Sequence, residues 1–186
     1  VTGKDRGEGW EGGGILVGGR QVVALGSALD PLPEADVVEE MSGHGVMPGM
    51  VNAHHHMYQT LPRVIPAAQD SSLFGWLQAL YPIWAGLTPE MIRVSTCTAM
   101  TELLWSGCTT TSDHLYLFPN GSRLDDQIEA ATRMGMRFHA ARGSMSVGES
   151  KGGLPPDSVV EEEAAILTDT QRVIEAFHDP SPLAMQ

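Results

Sequence analysis

The sequence predicts an α/β fold whose strands run parallel. Short segments rich in apolar or β-branched residues alternate along the chain with longer segments of helical periodicity. One helix has a clear start, because Thr88, Pro89 and Glu90 provide an N-cap, a first-position proline and a first-turn carboxylate. Polar side chains follow the predicted strands at their C-terminal ends, where parallel α/β proteins gather functional groups.

The first elements are two apolar runs in residues 15–26, separated by a Gly-Gly-Arg turn, which indicate a β-hairpin. A Pro-Gly turn at residues 48–49 leads into a short apolar segment, which predicts the first parallel strand. Helical patterns and β-branched runs then alternate to the end of the chain. The predicted helices are 71–85, 88–106, 122–135 and 159–178, and the predicted strands are 108–117 and 136–142.

Three consecutive histidines follow the first predicted strand. Successive strand side chains point to opposite faces, so His54 and His56 project together while His55 projects away. The triplet is internal and has an apolar lead-in, unlike an expression tag. His54 and His56 are therefore predicted to bind one metal ion.

Other polar side chains at the ends of predicted strands are candidates for the same site. Asp113 either acts in the site or caps a loop, and His114 either acts there or packs in the core. Arg142 either contacts a substrate or forms a structural ion pair. Trp76 either lines the wall of an aromatic substrate pocket or packs in the core.

Several strings in this sequence resemble one family. The segment Pro48-Gly-Met-Val-Asn-Ala-His-His-His56 resembles the first barrel strand of the amidohydrolase superfamily. Longer strings are similar to the branch of 8-oxoguanine deaminases and hydroxyatrazine aminohydrolases. They are His54 to Gln59, Ala67-Ala-Gln-Asp70, Phe74-Gly-Trp-Leu77, Leu87-Thr-Pro-Glu-Met91, Ser106-Gly-Cys-Thr-Thr110, Ser112-Asp-His-Leu-Tyr116 and Arg142-Gly-Ser-Met-Ser146.

The resemblance implies a (β/α)8 barrel of the TIM type. Residues 1–47 would supply strands of a small composite β-sandwich, and residues 48–186 would supply the first strands and helices of the barrel. A barrel of this kind needs about 250 residues. The chain has 186, so we expect it to be truncated. The acid/base group and the remaining metal ligands are expected on later strands, and no catalytic residue is assigned within this segment.

The function implied by the resemblance is hydrolytic deamination of an oxidised purine, with 8-oxoguanine favoured. Zinc is the expected ion, with iron as the alternative, and it would activate a water molecule. Gln59, His114, Arg142 and Trp76 are the predicted substrate-binding residues, with Gln59 matching a purine-binding glutamine of related deaminases. A hydroxyatrazine-type or pterin aminohydrolase is the alternative. An alternative of another class is a non-catalytic, truncated metal- or ligand-binding remnant.

The charge balance excludes some classes of partner. Lys and Arg number 11 against 23 Asp and Glu, which gives a net charge of −12 and argues against nucleic-acid binding. The apolar runs are far shorter than the about 20 residues that a membrane span needs. We therefore expect a cytoplasmic protein. The resemblance implies that it acts on a small heterocyclic molecule, and we also expect a homo-oligomer.

Overall fold

The computed structural model describes residues 13–26 and 33–180, and the chain divides into two compact units, Val1–Gly49 and Met50–Gln186. In the first unit, β1 (Gly14–Gly18) pairs with β2 (Gln21–Gly26) in antiparallel fashion, as the predicted hairpin requires. The turn between them includes Gly19, whose φ of 60° favours glycine.

The second unit contains a parallel sheet of three strands. They are β3 (Met50–Asn52), β4 (Cys108–Leu115) and β5 (Arg137–Arg142), in the spatial order β3-β4-β5. Both pairings are parallel, so the predicted α/β character is confirmed for the described residues. The helices between and after the strands are α1 (Leu73–Trp84), α2 (Pro89–Trp105), α3 (Leu124–Met134) and α4 (Glu163–Phe177).

Local capping chemistry explains the bounds of the first three helices. The Ser72 hydroxyl accepts a hydrogen bond from the Gly75 amide before α1, and Thr88 accepts one from Met91 before α2. The end of α3 is set by Gly135, which has a φ of 68° and the left-handed conformation typical of a helix C-cap.

The fourth helix begins later than the predicted residue 159. A 3-10 turn covers Asp157–Val159, and the backbone is extended at Val160 and again at Glu162. Tertiary contacts hold this stretch, because the Glu161 amide donates to the Met145 carbonyl and the Glu161 carboxylate pairs with a guanidinium of the sheet. A helix starting at residue 159 would break these contacts.

The core of the second unit joins one face of the sheet to the helices. Buried side chains of β4 and β5, such as Leu115 and Phe138, share a cluster with Ile92 and Met100 of α2 and Ile128 of α3. None of the helices within the described ranges is long and apolar enough to span a bilayer.

Candidate metal centre

A cavity of about 490 Å³ opens beyond the C-terminal end of β3. The histidine triplet forms one side of it, and α1 forms another side with its indole rings. Its lining residues include His54, His55, His56, Gln59, Arg63, Trp76, Trp84 and Glu102. This is the position at which parallel α/β folds bind ligands.

The strand itself ends at Asn52, before the histidines, but the extended course of the chain continues. The His114 amide donates to the His55 carbonyl at 3.0 Å, which prolongs the pairing with β4. The Asn52 side chain accepts a hydrogen bond from the His54 amide at 3.0 Å. The imidazole rings of His54 and His56 consequently lie edge to face, with their centroids 4.9 Å apart.

The ring of His56 is oriented in the way that metal ligands usually are. Its Nδ1 lies 2.8 Å from the carbonyl oxygen of His114, an acceptor, so Nδ1 carries the hydrogen. The other nitrogen, Nε2, then keeps its lone pair. Metal-bound histidines typically donate one ring N–H to a carbonyl or carboxylate in this manner. His54 and His56 thus fit a divalent ion that accepts imidazole ligands.

Within the part of the chain that the structure describes, the imidazole pair is not completed by a third metal-binding side chain. No group of three or more metal-binding side chains comes together within residues 13–26 and 33–180. Zinc sites in proteins use three or four protein ligands, so the imidazole pair matches a part of such a site.

His55 has a different environment from its two neighbours. Its Nδ1 is 3.9 Å from Oδ1 of Asp113, which is too far for a hydrogen bond. Burial lowers the pKa of His55, and the neighbouring His56 lowers it further. These shifts favour the neutral ring of His55, whose Nδ1 faces Asp113 of β4 while the residue also lines the cavity.

Gln59 and Trp76 both lie at the cavity. The Gln59 amide donates to the Tyr58 hydroxyl at 3.1 Å, which orients its amide group. Burial raises the pKa of Tyr58, so this hydroxyl stays protonated. The indole of Trp76 packs edge to face against Trp84 with a centroid separation of 5.3 Å. Trp76 therefore both packs against the core and borders the cavity.

His114 lies beside the imidazole pair but does not line the cavity. Its ring centroid is 5.5 Å from that of His56. The ring rests against the backbone of Gly143, where a Cβ would collide with it. Burial lowers the pKa of His114, and the nearby His56 and His54 lower it further, which favours the neutral ring.

The structure does not bring Arg142 to the cavity. Its guanidinium pairs with Glu161 at 2.6 Å and with Asp169 at 3.2 Å, and it donates to the Gly143 carbonyl. It also lies 4.4 Å from the centroid of the Phe118 ring, and only 4% of its side chain is exposed. This placement favours the structural ion pair, because a buried guanidinium needs such partners.

Two buried residues next to the site have clear contacts with it. Asp113 accepts a hydrogen bond from the Met57 amide, so it anchors the loop after the histidines. Ser95 of α2 donates to the Met57 carbonyl. The sequence singled out Asp113 at a strand end but left the loop-anchoring interpretation open. It carried no signal for Ser95, because a serine inside a helix looks like any other helical residue.

Residues 46–182 match the model of the amidohydrolase family. The chain is 46% identical over 169 residues to an 8-oxoguanine deaminase of Pseudomonas aeruginosa, covering 90% of this chain and 38% of that protein. It is 34% identical over 200 residues to the hydroxydechloroatrazine ethylaminohydrolase of Pseudomonas sp. strain ADP, covering 100% of this chain and 41% of that protein. The chain therefore spans about two fifths of the length of these curated relatives.

A similar fold occurs in a solved structure. Atrazine chlorohydrolase TrzN from Arthrobacter aurescens TC1, crystallised with zinc, superimposes with a TM-score of 0.74 at 30% identity. The match covers 92% of this chain and 40% of that chain.

Proposed function

The chain belongs to the amidohydrolase family, and we propose that its protein is a metal-dependent hydrolytic deaminase of an oxidised purine, with 8-oxoguanine as the favoured substrate. The observation that carries this proposal is the imidazole pair at the cavity. His54 and His56 lie together there, and the hydrogen bond of His56 to the His114 carbonyl leaves its Nε2 free for a ligand.

We assign the two imidazoles to a divalent ion, with zinc favoured because nitrogen ligands suit it and because the similar triazine hydrolase was crystallised with zinc. When bound, such an ion polarises a water molecule and lowers its pKa. In the proposed net reaction, water replaces the amino group on the ring carbon, and an acid/base group takes a proton from that water. A C–O bond forms, the C–N bond breaks, and ammonia leaves with a proton from an acid/base group outside the described residues.

The cavity suits a flat heterocycle with a hydrogen-bonding edge. Its volume of about 490 Å³ lies within the range of small-molecule sites. Trp76 would cover one face of the ring. Gln59 would bind its edge, because one of its amide N–H groups donates to the Tyr58 hydroxyl and its amide oxygen is left as an acceptor. The 46% identity to an 8-oxoguanine deaminase favours that purine.

A hydroxyatrazine-type or pterin aminohydrolase is the second candidate. The similarity to the hydroxydechloroatrazine enzyme extends over 100% of this chain, and the same flat, aromatic-walled cavity would accept a triazine.

We also propose the wider architecture. Residues 1–47 would belong to a composite β-sandwich, and residues 48–186 would form the first part of a (β/α)8 barrel.

The test is ammonia release by the full-length, zinc-loaded protein from a panel of 8-oxoguanine, a hydroxytriazine and a pterin. The highest kcat/KM is expected for 8-oxoguanine. His56→Ala should abolish activity and zinc binding, whereas His44→Ala, which alters an exposed histidine of the first unit, should change neither. No ammonia from any member of the panel would refute the proposal, and preference for the triazine would favour the second candidate.

A further inference from the structure

The peptide groups around Met57 are held from two sides by buried side chains. The Met57 amide donates to Oδ1 of Asp113 at 2.6 Å, and the Met57 carbonyl accepts from the Ser95 hydroxyl at 2.6 Å. All three residues are fully buried. Asp113 comes from β4 and Ser95 from α2, so two separate elements hold one residue of the loop.

Both side chains are themselves fixed in position. The second carboxylate oxygen of Asp113 accepts from Nε2 of Gln127 at 2.8 Å, and Gln127 is fully buried. The Ser95 hydroxyl also accepts from the Leu61 amide at 3.2 Å. Their hydrogen bonds therefore leave these side chains little freedom to follow a moving loop.

These contacts leave the backbone on both sides of His56 with little freedom. On its N-terminal side, the His55 carbonyl accepts from the His114 amide at 3.0 Å. On its C-terminal side, Met57 is held by Asp113 and Ser95. The ring of His56 is held as well, through Nδ1. The direction of Nε2 consequently depends on contacts made by neighbouring residues.

We propose that Asp113 and Ser95 are positioning residues that aim the His56 imidazole and thereby set the affinity of the centre for a divalent ion. The inference rests on the proposed function, because it requires His56 to be a metal ligand. Burying a carboxylate is unfavourable unless it is well hydrogen-bonded. One hydrogen bond of the Asp113 carboxylate comes from the loop that carries the imidazoles. The buried carboxylate therefore fixes the geometry of that loop.

The first experiment compares two neighbouring, fully buried hydroxyl residues of α2 in metal-free full-length protein. The dissociation constant for Zn²⁺ is measured by competition with a chromophoric chelator. Ser95→Ala removes the bond to Met57 and should weaken zinc binding by about 10-fold or more, the scale of lost outer-shell contacts. Thr96→Val is the matched control, because the Thr96 hydroxyl donates to the Ile92 carbonyl of its own helix and the substitution should leave the affinity unchanged.

A second pair of variants separates the geometry of Asp113 from its charge. Asp113→Asn can still accept from the Met57 amide, and rotation of the Gln127 amide would present its unpartnered buried oxygen to the new side-chain N–H. Asp113→Asn should therefore retain zinc affinity within about 3-fold, whereas Asp113→Ala should lose about 10- to 100-fold. If Asp113→Ala does not fold, the Ser95 and Thr96 pair still decides the question.

The outcomes distinguish failure of this inference from failure of the proposed function. Wild-type protein that binds no zinc would remove the proposed metal centre itself. Wild-type protein that binds zinc, together with Ser95→Ala protein of equal affinity, would leave the metal centre standing and overturn the positioning role. Equal losses in Ser95→Ala and Thr96→Val would also overturn it, because the effect would then be general destabilisation of α2.

Discussion

The buried carboxylate of Asp113 makes the stability of this fold depend on pH. Burial raises the pKa of Asp113 from 3.8 to about 6, even though the hydrogen bonds from Met57 and Gln127 act in the opposite direction. In the unfolded chain the carboxyl group is solvated and titrates near 3.8. The folded state therefore binds this proton more tightly than the unfolded state.

This difference fixes both the sign and the size of the effect. The stabilisation from the protonated carboxyl is complete below pH 3.8 and is lost as the pH rises through about 6. The two pKa values differ by about 2 units, and one unit corresponds to about 1.4 kcal/mol, so the loss is about 3 kcal/mol.

The assay is urea unfolding of metal-free full-length protein, wild type and Asp113→Asn, at about pH 4 and about pH 8. Asparagine does not titrate, and the other carboxyl groups titrate alike in both proteins. From the lower to the higher pH, wild type should lose about 3 kcal/mol of unfolding free energy relative to the Asp113→Asn variant. Parallel pH profiles for the two proteins would refute the reasoning, because Asp113 would then titrate as a solvated group.

Three further changes test other parts of the structure. Asp169→Ala should lower the free energy of unfolding by about 2–3 kcal/mol in urea titrations, because the nearly buried guanidinium of Arg142 loses a partner; an unchanged midpoint would contradict this. Gly143→Ala should displace the His114 ring and weaken Zn²⁺ binding several-fold, as measured by chelator competition. Unchanged affinity would count against close packing between Gly143 and His114. Gln59→Leu should raise KM for 8-oxoguanine by about 10-fold with a smaller change in kcat, and an unaltered KM would remove Gln59 from the substrate site.

Much of the fold follows from local sequence. Two helices begin at the N-caps Ser72 and Thr88, and one ends at the left-handed Gly135, at or next to the predicted residues. Capping could be predicted because it depends on side chains within a few positions. The start of α4 was not predictable in this way. Glu161, within the predicted start, is held by Met145 and by Arg142 of the sheet, which are distant in sequence.

In the candidate site too, features set by neighbouring residues could be predicted, whereas features set by distant contacts could not. The pairing of His54 with His56 could be predicted because an extended backbone alternates its side chains. His55 follows the prediction only in part, since its Nδ1 faces Asp113 while the residue also lines the cavity. Gln59 and Trp76 line the cavity, and their contact with a substrate stays a prediction. Arg142 illustrates the limit, since its position at the end of a strand could be inferred but its acidic partners Glu161 and Asp169 were not visible in sequence.

The sequence by itself determined the order of strands and helices, the parallel α/β class and the presence of an imidazole pair after the first strand of the sheet. These features depend on periodicity and on residues close together in the chain. Only the tertiary structure decided which buried groups hold that pair. Ser95 and Asp113 lie 38 and 56 positions from Met57, and they meet it because α2 and β4 pack around the same loop. Such contacts depend on the packing of whole elements, which no local pattern encodes.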